Sequence, residues 1–149
     1  MHASHTVFAA LIAAMTVALP TAQAGAVADA RHQLGTAPRG WSAVEGSDAA
    51  TLASHVDDYK AGDQAEPGEP YCDAAPTITE TLSHDFGEAL VSDTKLGADV
   101  TQLWGSDVMG TWTLVVARQD DLSCVIASGI GYTSGANPDL FFAQAGLIS

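Results

Sequence analysis

Cysteine is scarce in this chain: two occur among 149 residues, Cys72 and Cys124, 52 positions apart. That spacing excludes a Cys-x-x-Cys redox motif and a zinc half-site. A structural disulfide or two free thiols remain, and an even count in an oxidising compartment favours the bond. Basic residues are scarce too, five Lys and Arg against eighteen Asp and Glu, for a formal charge of -13. A surface of that sign repels phosphate backbones and anionic headgroups, which excludes a nucleic-acid-binding or membrane-surface role. It suits solubility outside the cytoplasm, or a basic partner.

A membrane-spanning run is also missing. The longest apolar stretch, Val7 to Leu19 with Thr16 interrupting, falls short of the roughly 20 residues a bilayer requires. It has the length of a secretory h-region. Pro20 breaks the helix it would form, and Ala22-Gln23-Ala24 places small residues at alternate positions, as a signal-peptidase site requires. Residues 1–24 are therefore expected to be a cleavable signal peptide, cut before Gly25, although Met1 to His5 contain no Lys or Arg; the alternative is an uncleaved N-terminal anchor. No Cys follows the run to accept a lipid. The expected location is periplasmic or secreted, with no stable membrane insertion after cleavage. All the Asp, Glu, Lys and Arg lie after Ala24, so the mature chain keeps the full negative charge.

What is present falls into two parts. Residues 25–70 read as a flexible leader: Gly25 to Gly40 is rich in Ala and Gly without a sustained period. Ser47 is positioned to cap a short helix reaching Tyr59, with Leu52, Val56 and Tyr59 on one face, and Ala61 to Pro70 is an acidic linker. Residues 71–149 read as the folded domain. Asp73 can cap a helix that accepts Pro76 in its first turn, repeats Ile78, Leu82 and Phe86 at four-residue spacing, and stops at Gly87.

Four segments of strand character follow: Glu88 to Leu96, Val100 to Trp104, Thr111 to Ala117 and Leu122 to Ser128, with connections short enough for antiparallel hairpins. Period-two alternation puts Trp112, Leu114 and Val116 on one face, and Leu122, Cys124 and Ile126 on one face of the next strand. Laying the helix on that face points Cys124 toward Cys72 at the helix start. The expected fold is α+β, one amphipathic helix packed across a four-stranded antiparallel meander with one disulfide. After Gly129, Gly131 and Gly135, the Asn137-Pro138-Asp139 run opens a last helical turn or two ending at Gly146. Its Leu140, Phe141 and Phe142 form an apolar tail that docks on the domain or presents a partner-binding patch.

The stretch Gly110-Thr111-Trp112-Thr113-Leu114-Val115-Val116, followed by Cys124 to Gly129, resembles a pattern in small uncharacterised exported proteins of Gram-negative bacteria. The likeness includes a Cys before a short helix, a Gly at the helix end like Gly87, and a turn like Gly97-Ala98-Asp99. It spans about residues 72–132 and implies no activity. Where those proteins carry Asp-Gly or Gly-Gly in the second hairpin turn, this chain has Asp120-Asp121.

No chemistry-bearing pattern emerges. His32, His55 and His84 are the histidines after residue 24, and His55 with Asp57 or His84 with Asp85 would suit a metal site or a general base. Positions two apart on a helix diverge, however, so surface histidines are the simpler reading. Asp57, Asp58, Asp63 and Glu66 lack the alternating rhythm of a calcium loop. Ser128 and Ser134 are not centred in Gly-x-Ser-x-Gly, and Gly129-Ile130-Gly131 lacks the third glycine of a dinucleotide loop. Asp120-Asp121 reads as a polar turn, and Trp104 and Trp112 as sheet-face residues rather than a sugar platform. No catalytic, cofactor or metal residue is assigned. The expected function is an exported, non-enzymatic binding domain for a protein partner in the periplasm or outside the cell. The alternatives are a small hydrolase-like enzyme whose site assembles in three dimensions, or an inhibitor of a secreted hydrolase.

Overall fold

The computed structural model describes residues 38–62 and 68–149. The expected signal peptide and residues 25–37 and 63–67 of the leader, with His32, Asp63 and Glu66 among them, lie outside the described residues. The centre is a single antiparallel sheet. Four strands form the meander: β3 (Ala89–Leu96), β4 (Asp99–Ser106), β5 (Thr111–Ala117) and β6 (Leu122–Ile130). Two short strands, β1 (Arg39–Ser42) and β2 (Cys72–Ala74), lie end to end along the outer edge of β6. The sheet thus has six strands, and residues of the expected leader form part of it. A long buried strand such as β6 cannot leave a row of backbone groups unpaired, and β1 and β2 satisfy that row.

Among the described residues three helical segments cover the sheet. α1 (Ala49–Ser54) is capped by Asp48 rather than Ser47, with the Asp48 carboxylate accepting from the Thr51 amide at 2.7 Å, and a 3-10 turn (Val56–Asp58) follows. α2 (Ala75–Glu80) admits Pro76 in its first turn, and widens into a π turn (Thr81–Asp85) before Gly87, at φ 61°, turns the chain back. Asp73 does not cap it. That residue sits in β2, where its carboxylate accepts from Ala74 N and Tyr71 OH. α3 (Asp139–Gln144) carries Phe141 and Phe142 into the core and leaves Leu140 exposed.

The amphipathic helix packs on the meander, but on the opposite face from the one the alternation suggested. Trp112, Leu114, Val116, Cys124 and Ile126 face α1, the 3-10 turn and α3, whose Leu52, Val56, Phe141 and Phe142 complete one buried cluster. α2 lies across the other face, where Ile78 and Leu82 pack on Trp104 and Val115. The reason is visible in β5, which is buried on both faces: a strand covered on two sides gives alternation no single side to mark. The cysteines are joined, and here too the geometry differs from expectation. Cys72 and Cys124 are direct cross-strand partners of β2 and β6, with Cα atoms 4.1 Å apart, so the disulfide lies within the sheet and does not tie helix to strand.

Alternation also breaks inside β6. Leu114 pairs with Ala127 and Val115 with Val125, leaving Ile126 as the extra residue of a bulge. Both Ile126 and Ala127 are buried, and beyond the bulge the core-facing position becomes Gly129. There Gly105, Trp112, Gly129 and Gly40 form one cross-strand row. The indole of Trp112 lies over Gly129 and Gly40, and the ring of Tyr132 lies over Gly105. Trp112 Nε1 donates to the Ile130 carbonyl at 3.1 Å, and Phe141 meets the indole edge-on at 5.5 Å. At the other end of the same face, the buried guanidinium of Arg118 donates from Nη1 to the carbonyls of Val56 and Tyr59, both at 2.7 Å, which clamps the 3-10 turn to the sheet.

Candidate binding site

Two features stand together at the sheet end where β4 turns into β5. The first is the turn itself, Asp107 to Gly110. The Gly110 amide donates to the Ser106 carbonyl at 2.7 Å, and Met109 N to Ser106 Oγ at 3.2 Å. From the chain beyond β6, Gly131 N and Tyr132 N donate to the Gly110 carbonyl, and Ser134 N donates to the Asp107 carboxylate. Hydrogen bonds from two segments therefore hold a turn whose outermost side chains are apolar, Val108 at 94% exposure and Met109 at 62%. Burial and the neighbouring Asp107 charge push the Tyr132 phenol above its ordinary pKa. Fixing two apolar side chains in water beforehand removes part of the ordering cost of an interface.

The second feature is a groove of about 340 Å³ on the α2 face. α2 packs over Trp104 and Val115 on that face and leaves Trp41, Ser128 and Ile130 exposed. Ile78, Thr81 and Leu82 form the helix wall, Phe86 closes one end, Thr113, Val125 and Ser128 form the floor, and Ala43 and Tyr71 stand opposite. Cross-strand pairing puts Trp41, Ser128, Thr113, Trp104 and Leu90 on one row of this face, and Arg39, Ile130, Thr111 and Ser106 on the next. Trp41, Phe86, Leu90 and Ile130 are all large, apolar and exposed. They extend the groove into an open apolar surface on the side of the Val108–Met109 turn.

Behind the groove floor sits a buried acid. Glu88 follows Gly87, and its amide donates to the Leu82 carbonyl at 2.9 Å, which carries it under the end of the helix. It is 3% exposed. Its carboxyl lies by the hydroxyls of Thr111 and Thr113, and its Oε2 is buried without a hydrogen-bond partner among the described residues. Loss of hydration raises its pKa above the ordinary glutamate value, an effect the two threonines only partly offset. The sequence reading missed Glu88, taking it as the polar start of a strand; the only local signal was an acid placed directly after the helix-stopping glycine.

The sequence candidates fall elsewhere. His84 Nδ1 and the Asp85 carboxylate are 3.3 Å apart but stand on the outer side of the π turn, 85% and 66% exposed. His55 does not meet Asp57: its Nδ1 sits 2.9 Å from Ser54 Oγ and from the Thr51 carbonyl at the end of α1, while Asp57 faces Arg118. Ser128 lines the groove with no histidine beside it in the lining, and Ser134 braces the Asp107 turn. Asp120 pairs with Arg118 at 2.6 Å. Trp104 and Trp112 lie on opposite faces of the sheet and share no platform. Among the described residues no group of three or more His, Cys, Asp or Glu converges as a metal site would require, and no helix is long and apolar enough to cross a membrane.

No protein-family model, curated protein or solved structure matches this chain.

Proposed function

We propose that this protein is an exported, non-enzymatic domain that binds a protein partner through its pinned apolar turn, outside the cytoplasm. The observation that carries the reading is Val108, almost wholly exposed at the tip of a turn that backbone and side-chain hydrogen bonds hold from two directions. Large exposed apolar side chains on a rigid support are the usual anchors of an interface, and the adjoining Phe86, Leu90 and Ile130 supply a surface on which the rest of a contact can spread. The charge of -13 favours a partner with a basic rim around its apolar socket. A hydrolase as that partner would make the protein an inhibitor, the same contact with a different consequence.

The test is photo-crosslinking of the mature protein in its own envelope extract from a reactive residue at the exposed position 130 beside the turn, alongside Val108→Asp and Met109→Asp. Neither change touches the core, so melting should stay within a degree or two. A specific crosslinked partner, lost when Val108 is replaced by Asp, supports the reading. Crosslinks that are insensitive to both substitutions refute it.

A further inference from the structure

The Val108–Met109 turn leaves two facts unused: a groove wide enough for a small ligand, and a buried carboxyl behind its floor. The groove volume of about 340 Å³ lies at the small end of the range in which ligand sites occur. Its helix wall and one end are apolar, through Ile78, Leu82 and Phe86, so it suits a hydrocarbon or aromatic body. Its floor is different. Thr113 belongs both to the floor and to the set of groups around Glu88, so a single hydroxyl separates the groove from the carboxyl.

Burying a carboxyl is costly unless its oxygens are satisfied, and Glu88 Oε2 has no partner among the described residues. A threonine hydroxyl can accept one hydrogen bond and donate another. The Thr113 hydroxyl already bonds Glu88, so a donor from the groove side is received by its free lone pair, and a cationic donor also brings a positive charge close to the buried carboxylate. An anionic head meets the opposite field. We infer that the groove between α2 and β6 is a binding site for a small organic ammonium ion: its apolar body lies against Ile78, Leu82 and Phe86, and its ammonium group is held by Thr113 and, through that hydroxyl, by Glu88. The groove shares Phe86 with the surface beside Val108, but Thr113 and Ser128 lie outside the turn, so the two readings fail separately.

The probe is 2-phenylethylammonium, compared with 2-phenylethanol as the neutral isostere and phenylacetate as the anion, each titrated into the full-length mature protein and followed by amide chemical shifts. Saturable shifts at Phe86, Thr113 and Val125 are expected, with the ammonium about tenfold tighter than the alcohol, the difference that one charge-assisted hydrogen bond supplies. Phenylacetate should bind weakest. Thr113→Val keeps the shape of the floor and should erase the ammonium preference, so that ammonium and alcohol bind alike and more weakly. Ser128→Phe, on an exposed floor position, should block all three probes without touching Glu88. Equal binding of ammonium and alcohol, a Thr113→Val protein that still prefers the ammonium, or the absence of saturable shifts overturns the assignment.

Discussion

Trp112 and Gly129 are cross-strand partners whose fit leaves no room for a methyl group: a Cβ on Gly129 would stand 2.7 Å from Trp112 Cε2 and 2.0 Å from the Arg39 carbonyl oxygen. The indole covers the bare backbone of β6, and β1 closes on it from the far side. Because the second obstacle is backbone, rotamer changes cannot relieve it. Gly129→Ala should cost about 3 kcal/mol, the upper range for overpacking a core, and should loosen β1. Urea denaturation measures the first effect and amide exchange at Gly40 to Ala43 the second; a loss under half that size would mean that β1 moves aside freely.

Reducing the Cys72–Cys124 bond should matter as much. The closed loop spans 52 positions, for which chain-entropy reasoning gives about 4 kcal/mol. β2 has only three residues, and α2 starts directly after it, so the strand and the helix start should loosen together. Cys124→Ser, Cys72→Ser and chemical reduction are expected to lower the melting temperature alike, with proteolysis appearing between Tyr71 and Pro76. Unchanged melting on reduction would contradict this.

Glu88 sets a pH dependence whose sign follows from its surroundings. Its pKa is raised in the folded protein by burial, whereas in the unfolded chain it ionises near the ordinary 4.5. Its contribution to stability is complete below that ordinary value and is lost as pH rises through the folded value, because only the unfolded chain releases the proton without penalty. Denaturation midpoints collected from pH 4 to pH 8 should decline along that window, and Glu88→Gln should flatten the decline. Parallel curves for the two proteins would show that another group is responsible.

The β5–β6 turn holds a removable strain. Asp121 has φ 62°, the left-handed region that glycine enters at no steric cost, in the hairpin turn between β5 and β6. Its backbone carbonyl accepts from Ala75 N at 2.9 Å, an interaction that a glycine retains. Asp121→Gly is therefore expected to raise stability by up to about 1 kcal/mol, relief of the φ penalty less the added freedom of the unfolded chain. A lower denaturation midpoint would show that the Asp121 side chain stabilises the turn.

The chain itself determines its local elements. Alternation through Thr111 to Ala117 and from Leu122 onward marks two strands, the Ile78–Leu82 spacing ending at Gly87 marks the helix, and the two cysteines form the bond that their number suggests. The strands and the helix each depend on residues within one turn or one strand of one another, and the disulfide on the count of cysteines. Tertiary structure decided what depends on distant partners. Val115 and Trp112 are both buried on opposite faces of the sheet, so local pattern could not say which face takes α2. Arg39–Ser42 became a strand because β6 had an edge to fill, not because four residues with two exposed side chains carry a strand signal. Glu88 and Thr113 lie 25 positions apart, and only the register of β3, β4 and β5 brings carboxyl and hydroxyl together behind a groove. Backbone pairing and burial are satisfied by whatever the fold brings near, and that is the information a single stretch of sequence does not contain.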